Sequence, residues 1–287
     1  MQPPLPSATP TWHNNTYATI SPQRRELSAA GKTVIIIGAG TGIGRETAKA
    51  YGSAGAARLV LVGRNEYSLN ETASSLPREI SSLVCVADVT QDKRMQDVAR
   101  SVGMWDIIVL CAAYVSDPSP MASANIDEWW LSFETNTKGT FVAIKTFLPT
   151  ANPSKATILA LTTGTTAMPA AMIPGLSAYM ASKLAQTKIM EFLAAENPNV
   201  FAATVHPGMV ETGIFTKSGA KAEMLPMDKV QLPAHFLVWM SSSEAAFLNG
   251  RSVWANWDVE ELKAQANSIQ SGIYMTSGIN GWPYTNM

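Results

Sequence analysis

Tyr179 and Lys183 stand four residues apart in Leu176-Ser177-Ala178-Tyr179-Met180-Ala181-Ser182-Lys183. On a helix that spacing puts a phenol and an amine on one face, about a turn apart. A phenol ordinarily loses its proton near pH 10, and a neighbouring ammonium favours the phenolate, which brings it towards useful proton exchange. The two side chains are therefore a candidate acid–base pair. Such a spacing is commonplace by itself, so its meaning depends on what else the chain can bring to it. Gly38-Ala39-Gly40-Thr41-Gly42-Ile43-Gly44 supplies a context. It follows the β-branched run Thr33 to Ile37 and opens a helical stretch, where glycines allow a tight turn and close approach of a pyrophosphate. The unpaired N–H groups of the helix start face anionic oxygens, so the segment reads as a dinucleotide site.

The second strand ends Leu61-Val62-Gly63-Arg64, without the acidic side chain that would accept hydrogen bonds from the ribose diol of NAD(H). A guanidinium instead pairs bidentately with an extra phosphate, so Arg64 predicts NADP(H) in preference to NAD(H). Asp88-Val89, past the third strand, is placed to receive the adenine amino group, and an Asp there could equally cap the helix starting near Gln91.

The elements that must position these residues are legible in the hydrophobic pattern. Short apolar runs predict strands at 33–37, 58–62, 83–87, 107–111, 157–161, 201–205 and 252–254. Amphipathic stretches predict helices at 43–54, 66–76, 91–102, 125–148 and 177–196. Strands that are apolar throughout need cover on both faces. The expected fold is α/β: a three-layer Rossmann arrangement with a mainly parallel seven-stranded sheet and helices on both sides. One such domain spans 31–287, behind a frayed, Pro-rich extension at 1–30. A mobile substrate lid is expected at about 209–229 and a C-terminal extension at about 258–287.

Composition narrows the function. Of 287 residues 46% are hydrophobic and 15% charged, and 21 basic residues balance 22 acidic ones, which disfavours a nucleic-acid partner. No apolar run reaches the roughly 20 residues needed to span a bilayer, and the N-terminus does not read as a secretory signal. Cys85 and Cys111 lie in apolar runs and are expected to be reduced, which agrees with a cytoplasmic setting. No metal-ligand cluster is expected.

With these motifs in order, joined by Asn136 in Asn136-Thr137-Lys138-Gly139 and Pro207-Gly208 ahead of Thr212, the chain resembles the short-chain dehydrogenase/reductase family over about residues 31–257. The resemblance implies that Tyr179 exchanges a proton with a substrate oxygen while hydride moves between nicotinamide and carbon. It implies that Lys183 bonds the nicotinamide ribose and tunes Tyr179, and that Asn136 holds a water in a proton relay. It places Pro207, Gly208, Val210 and Thr212 by the nicotinamide and Ala112 along the cofactor, and it implies a homodimer or homotetramer formed through the two long helices. The closing stretch Phe247 to Asp258 resembles fungal members, many of which act in specialised metabolism.

Two departures stand out. The position that carries a substrate-orienting Ser in the family reads Leu161-Thr162-Thr163-Gly164-Thr165-Thr166; the role falls to Thr163, while counting back from Tyr179 selects Thr166. Where the family shows Asn-Asn-Ala-Gly, this chain has Cys111-Ala112-Ala113-Tyr114, so either the turn opens or the Tyr114 ring points into the cleft. The leading expectation is an NADP(H)-dependent reductase or alcohol dehydrogenase for a hydrophobic small molecule. The alternative is an isomerase, dehydratase or cyclase without net redox change. Met168, Met172, Met209, Phe215, Met224 and Met227 either contact that substrate or pack the lid.

Overall fold

The computed structural model describes residues 2–4 and 7–278. All five residues of β1 (Thr33–Ile37) are β-branched, and the strand lies in the interior of the sheet with its last four residues buried. The glycine turn then leads into α1 (Gly42–Ser53). Two more units follow: β2 (Arg58–Gly63), α2 (Glu66–Ser74), β3 (Ser81–Val86) and α3 (Asp92–Val102). The second half runs β4 (Ile107–Leu110), α4 (Ile126–Phe133), α5 (Gly139–Phe147), β5 (Ala156–Leu161), α6 (Ser177–Glu196), β6 (Val200–His206), α7 (Gly213–Lys217), α8 (Gln231–Met240), β7 (Ser252–Trp254), α9 (Val259–Ala264) and α10 (Ala266–Ser271).

The seven strands lie in the order β3-β2-β1-β4-β5-β6-β7, and every pairing is parallel. Successive β1 residues serve opposite layers. Val34 and Ile36 join the core packed under α1, α8 and the C-terminal helices, whereas Ile35 and Ile37 join the one under α3, α5 and α6. The fold is therefore the three-layer α/β arrangement expected, with helices on both faces. Cover is thinnest at edge strand β3, where Ser81, Ser82 and Val86 are exposed. Because β1 and β4 are neighbours while the chain winds outwards from them in opposite directions, a crevice opens at their carboxyl ends, where ligands of such sheets bind.

The stretch 125–148 is not one helix. A five-residue π-turn, Glu134–Lys138, separates α4 from α5, and Asn136 within it is fully buried. Wide turns of this kind accommodate an extra residue and cluster at functional sites. The N-terminal extension also differs from the frayed segment expected. Trp12, Ile20 and Leu27 are buried, Trp12 bridges Trp257, and the His13 ring meets Asp258 at 2.9 Å. One indole, Trp12, and the aliphatic side chains among the prolines give this strap enough apolar surface to pack down. Of the C-terminal extension, residues 279–287 lie outside the described residues. No helix among the described residues is long and apolar enough to cross a membrane.

Candidate active site

A cleft of about 1250 Å³ lies at the carboxyl ends of the strands. Gly38, Gly40, Thr41, Gly42, Ile43 and Gly44 line one end of it, and Arg64, Asp88, Val89 and Ala112 stand along the same wall. Tyr179, Lys183 and Thr163 lie on the wall with Pro207, Gly208, Val210 and Thr212.

The glycine turn is shaped by backbone crowding. Gly38 has φ +96°, and a Cβ there would fall 2.5 Å from Ala112 N; one on Gly44 would fall 2.0 Å from the Gly38 carbonyl oxygen. Arg45 donates to the Gly40 carbonyl from Nη2 at 2.6 Å and from Nε at 3.0 Å, and to Glu71 at 2.9 Å, so its charge is spent holding the turn. Thr41 precedes α1 without a side-chain cap, which leaves the first-turn N–H groups free for an anionic ligand. These features fit a pyrophosphate. Arg64, in contrast, is exposed at the cleft and makes no hydrogen bond or ion pair among the described residues. Asp88 Oδ1 accepts from Thr90 N and Oγ1 at 2.9 and 2.8 Å, so one carboxylate oxygen closes the local turn and the other is left over.

Tyr179 and Lys183 come together as the helical spacing requires, with Nζ 5.9 Å from the ring centroid. Their electrostatics differ from the expectation. Burial pushes the Tyr179 phenol up to about 12, and the same loss of water brings the Lys183 ammonium down to about 7. The amine does not lower the phenol here, because Nζ is turned towards the Leu161 carbonyl at 2.7 Å and Gln186 Oε1 at 2.9 Å. Tyr179 is thus protonated at neutral pH and suited to donate.

Asn136 does not reach the cleft wall. Its Oδ1 accepts from Tyr114 N at 2.8 Å, and its Nδ2 donates to Tyr114 O at 2.8 Å and Ser182 Oγ at 2.9 Å. The side chain is saturated by protein and ties the loop after β4 to α6, which makes it a clamp on the Tyr179 helix. Its backbone carbonyl, too, accepts from Thr140 Oγ1 at 2.7 Å.

Of the threonines after β5, Thr163 and Thr165 face the cleft with their hydroxyls 2.7 Å apart, whereas Thr166 turns back onto the Thr163 carbonyl at 2.8 Å. The residue count from Tyr179 fails because a short helical turn, Gly164–Ala167, takes up the extra length. Thr165 carried no sequence signal. His206 is buried, edge-on to Trp254 at 4.6 Å, and burial holds it near 3, which matches a packing role.

Tyr114 resolves the departure after β4: its ring lines the cleft and its hydroxyl donates to Glu128 Oε1 at 2.8 Å. Lys217, at the end of α7, donates to that hydroxyl at 2.7 Å and to Glu128 at 3.0 Å. The segment 209–229 is thereby joined to the opposite wall by residues 89 and 103 positions apart, which no spacing rule could connect. At the other end of the segment Asp228 accepts from Met209 N at 2.7 Å and from Asn256 Nδ2 at 3.0 Å, which fixes the turn at Gly208. Met168, Met172, Met209 and Phe215 line the cleft with Leu225 and Pro226, whereas Met227 does not; the Met224 side chain lies outside the described residues.

Comparison with known proteins agrees with this geometry. Residues 32–223 match the short chain dehydrogenase family. The chain belongs to that family. A short chain dehydrogenase/reductase of Claviceps purpurea is 34% identical over 286 residues, covering 96% of this chain and 95% of the relative. The short chain dehydrogenase citE of Monascus ruber is 32% identical, with 93% and 96% covered. Among solved structures, a short chain dehydrogenase from Pseudomonas syringae superposes with a TM-score of 0.74 at 22% identity, over 81% of this chain and 97% of that one. One from Shigella flexneri, solved in complex with NADP, gives 0.73 at 21%, over 81% and 99%. As a short chain dehydrogenase, the protein is an oxidoreductase whose fold binds a nicotinamide cofactor.

Proposed function

We propose that this short chain dehydrogenase uses NADP(H) to interconvert a carbonyl and an alcohol on an apolar small molecule. The observation that carries the reading is the meeting, in one cleft, of the uncapped glycine turn with the Tyr179–Lys183 pair. When bound, a nicotinamide dinucleotide supplies or takes up the hydride. The glycine turn and the start of α1 would hold its pyrophosphate, Arg64 its extra phosphate, and Pro207, Gly208 and Thr212 its nicotinamide end. Tyr179, protonated in its dry setting, donates its proton to the carbonyl oxygen in the reductive direction. Thr163 or Thr165, whose hydroxyls meet beside Tyr179 on the same wall, orients that oxygen. A substrate-dependent loss of NADPH absorbance with a panel of hydrophobic ketones tests the reading; tight binding of NADPH with no ketone reduced counts against it. Replacing Arg64 by Asp is expected to lower the NADPH to NADH preference at least tenfold in kcat/KM, since a charge-assisted phosphate contact becomes a repulsion.

The fungal relatives favour a role in specialised metabolism, and the thiols of Cys85 and Cys111, both free, suit a cytoplasmic setting. Trp130 on α4, Phe141 on α5 and Leu184 and Phe192 on α6 are exposed, which favours association of two or four copies through these helices. A second reading, substrate conversion without NADPH consumption, draws on Tyr114: a second phenol in the same cleft, paired with a carboxylate, could move a proton without hydride transfer.

A further inference from the structure

Lys183 is 1% exposed, and among the described residues nothing that faces it carries a countercharge. The titratable side chains on the elements around it are Cys111 after β4, His206 at the end of β6 and Tyr179 on its own helix. Burial lifts the thiol and the phenol to about 12 and holds the imidazole near 3, so all three are neutral at pH 7. The ion pair Glu134–Lys138 on the π-turn is exposed. What supports the buried ammonium is a pair of oxygen dipoles, the Leu161 carbonyl and Gln186 Oε1.

Gln186 is itself fixed. It is 0% exposed, and its Nε2 donates to Thr140 Oγ1 at 2.8 Å; that hydroxyl donates on to the Asn136 carbonyl at 2.7 Å. A carbonyl can only accept, so the direction of every bond in the chain follows from its end: Thr140 must spend its proton there, Gln186 must present N–H to Thr140, and its oxygen is left for Lys183. Two of the three ammonium protons are thereby committed, and the third remains for the cleft that Lys183 lines.

We infer that Gln186 is a positioning residue for Lys183: anchored through Thr140 to the π-turn carbonyl of Asn136, it keeps the amine protonated and aims its remaining N–H at a ligand in the cleft. This rests on the proposed dinucleotide site. It predicts that NADPH affinity depends on the protonation of Lys183 and that this dependence moves when Gln186 is changed. Lys183, already drawn down to about 7 by burial, would be drawn lower by loss of a supporting oxygen.

The test is the dissociation constant of NADPH, read by its fluorescence on the full-length protein between pH 5 and 9, a range that spans both expected midpoints. Wild type is expected to weaken as pH rises. Gln186→Met is expected to bind at least fivefold more weakly at pH 7.5, with the fall beginning about one pH unit lower, and Gln186→Glu to move it upwards. Thr140→Val, which leaves Gln186 in place but removes its anchor, is expected to shift the midpoint in the same direction as Gln186→Met, by less; it serves as the reading if thermal melts show Gln186→Met unfolded. A merely structural role would change affinity equally at all pH values. Curves of Gln186→Met or Thr140→Val parallel to wild type, or a wild-type affinity flat across the range, overturn the inference while the cofactor site stands. Failure of wild type to bind NADPH at any pH removes the cofactor reading and the inference with it.

Discussion

Tyr179 with Lys183 on α6, and Tyr114 with Lys217 across the cleft, are the same two functional groups in opposite surroundings. The first pair is local in sequence and dry: the phenol rises to about 12, the ammonium falls to about 7, and 5.9 Å separates Nζ from the ring centroid. The second joins residues 103 positions apart and is wetter, with Nζ 4.0 Å from the ring centroid and Glu128 in contact with both partners. Burial alone would lower the Lys217 pKa, but hydrogen bonds to Tyr114, Glu128 and Asp117 outweigh it and raise the value. Burial would likewise raise Glu128, and the bonds from Lys217 and Tyr114 bring it down instead. A carboxylate decides the difference. With one present, phenol and ammonium form a stable bridge; without one, both groups resist their charged forms and the phenol keeps a proton to give.

The sharpest way to break the comparison is to remove the two hydroxyls in turn. Tyr179→Phe should cost about 10²-fold or more in kcat while leaving NADPH binding within threefold, because it deletes the proposed general acid and little else. Tyr114→Phe should cost less than tenfold, since it loosens a bridge. Equal losses would make both phenols catalytic and favour the reading without net redox change.

The sequence exposed the first pair and concealed the second for one reason. Tyr179 and Lys183 are related by helical periodicity and the glycine turn by its place after an all-β-branched strand, so local rules reach both. The seven parallel strands were legible from apolar runs, since a strand buried on both faces leaves an unmistakable pattern. Lys217 and Glu128 meet only because α7 folds across the cleft onto α4, and Asp228 meets Met209 because the lid segment returns to its start; neither contact has a sequence period. The π-turn escaped because the residues 125–148 keep helical spacing through it. The apolar content of the strap, Trp12 above all, was outweighed by its prolines.

The first pair can be probed by pH as well as by mutation. A buried lysine whose folded pKa lies near 7, below its unfolded value of about 10.4, leaves the unfolded chain holding more protons between those two pH values, so stability rises with pH across that window. Below pH 7 the charged amine costs the fold on the order of a few kcal/mol. Lys183→Met removes that titration. The stability of wild type relative to Lys183→Met should therefore increase by about 3 kcal/mol from pH 6.5 to 9.5, as read by urea melts at each pH, since the other titrating groups are common to both proteins. A difference that stays constant would mean that Lys183 titrates normally, and the contrast between the pairs would lose its physical basis.

The second pair should give the smallest effect, and its smallness is informative. Side chains of Lys217 and Glu128 are 33% and 26% exposed, and the contact to Asp117 reaches a carboxylate that is 72% exposed, so solvent screens much of the attraction. Half-exposed pairs of this kind contribute about 0.5–1 kcal/mol, which corresponds to a two- to fivefold change in an opening equilibrium. Lys217→Met should therefore speed amide hydrogen exchange over residues 213–219 by two- to fivefold, and 0.5 M salt should remove most of the difference between variant and wild type, because exposed charges feel ionic strength while a dry amine does not. Exchange around Lys183 should be unchanged by the same salt. If salt moved both regions equally, the two pairs would share one environment; if Lys217→Met left the segment protected, the lid would owe its position to the Asp228 tether alone.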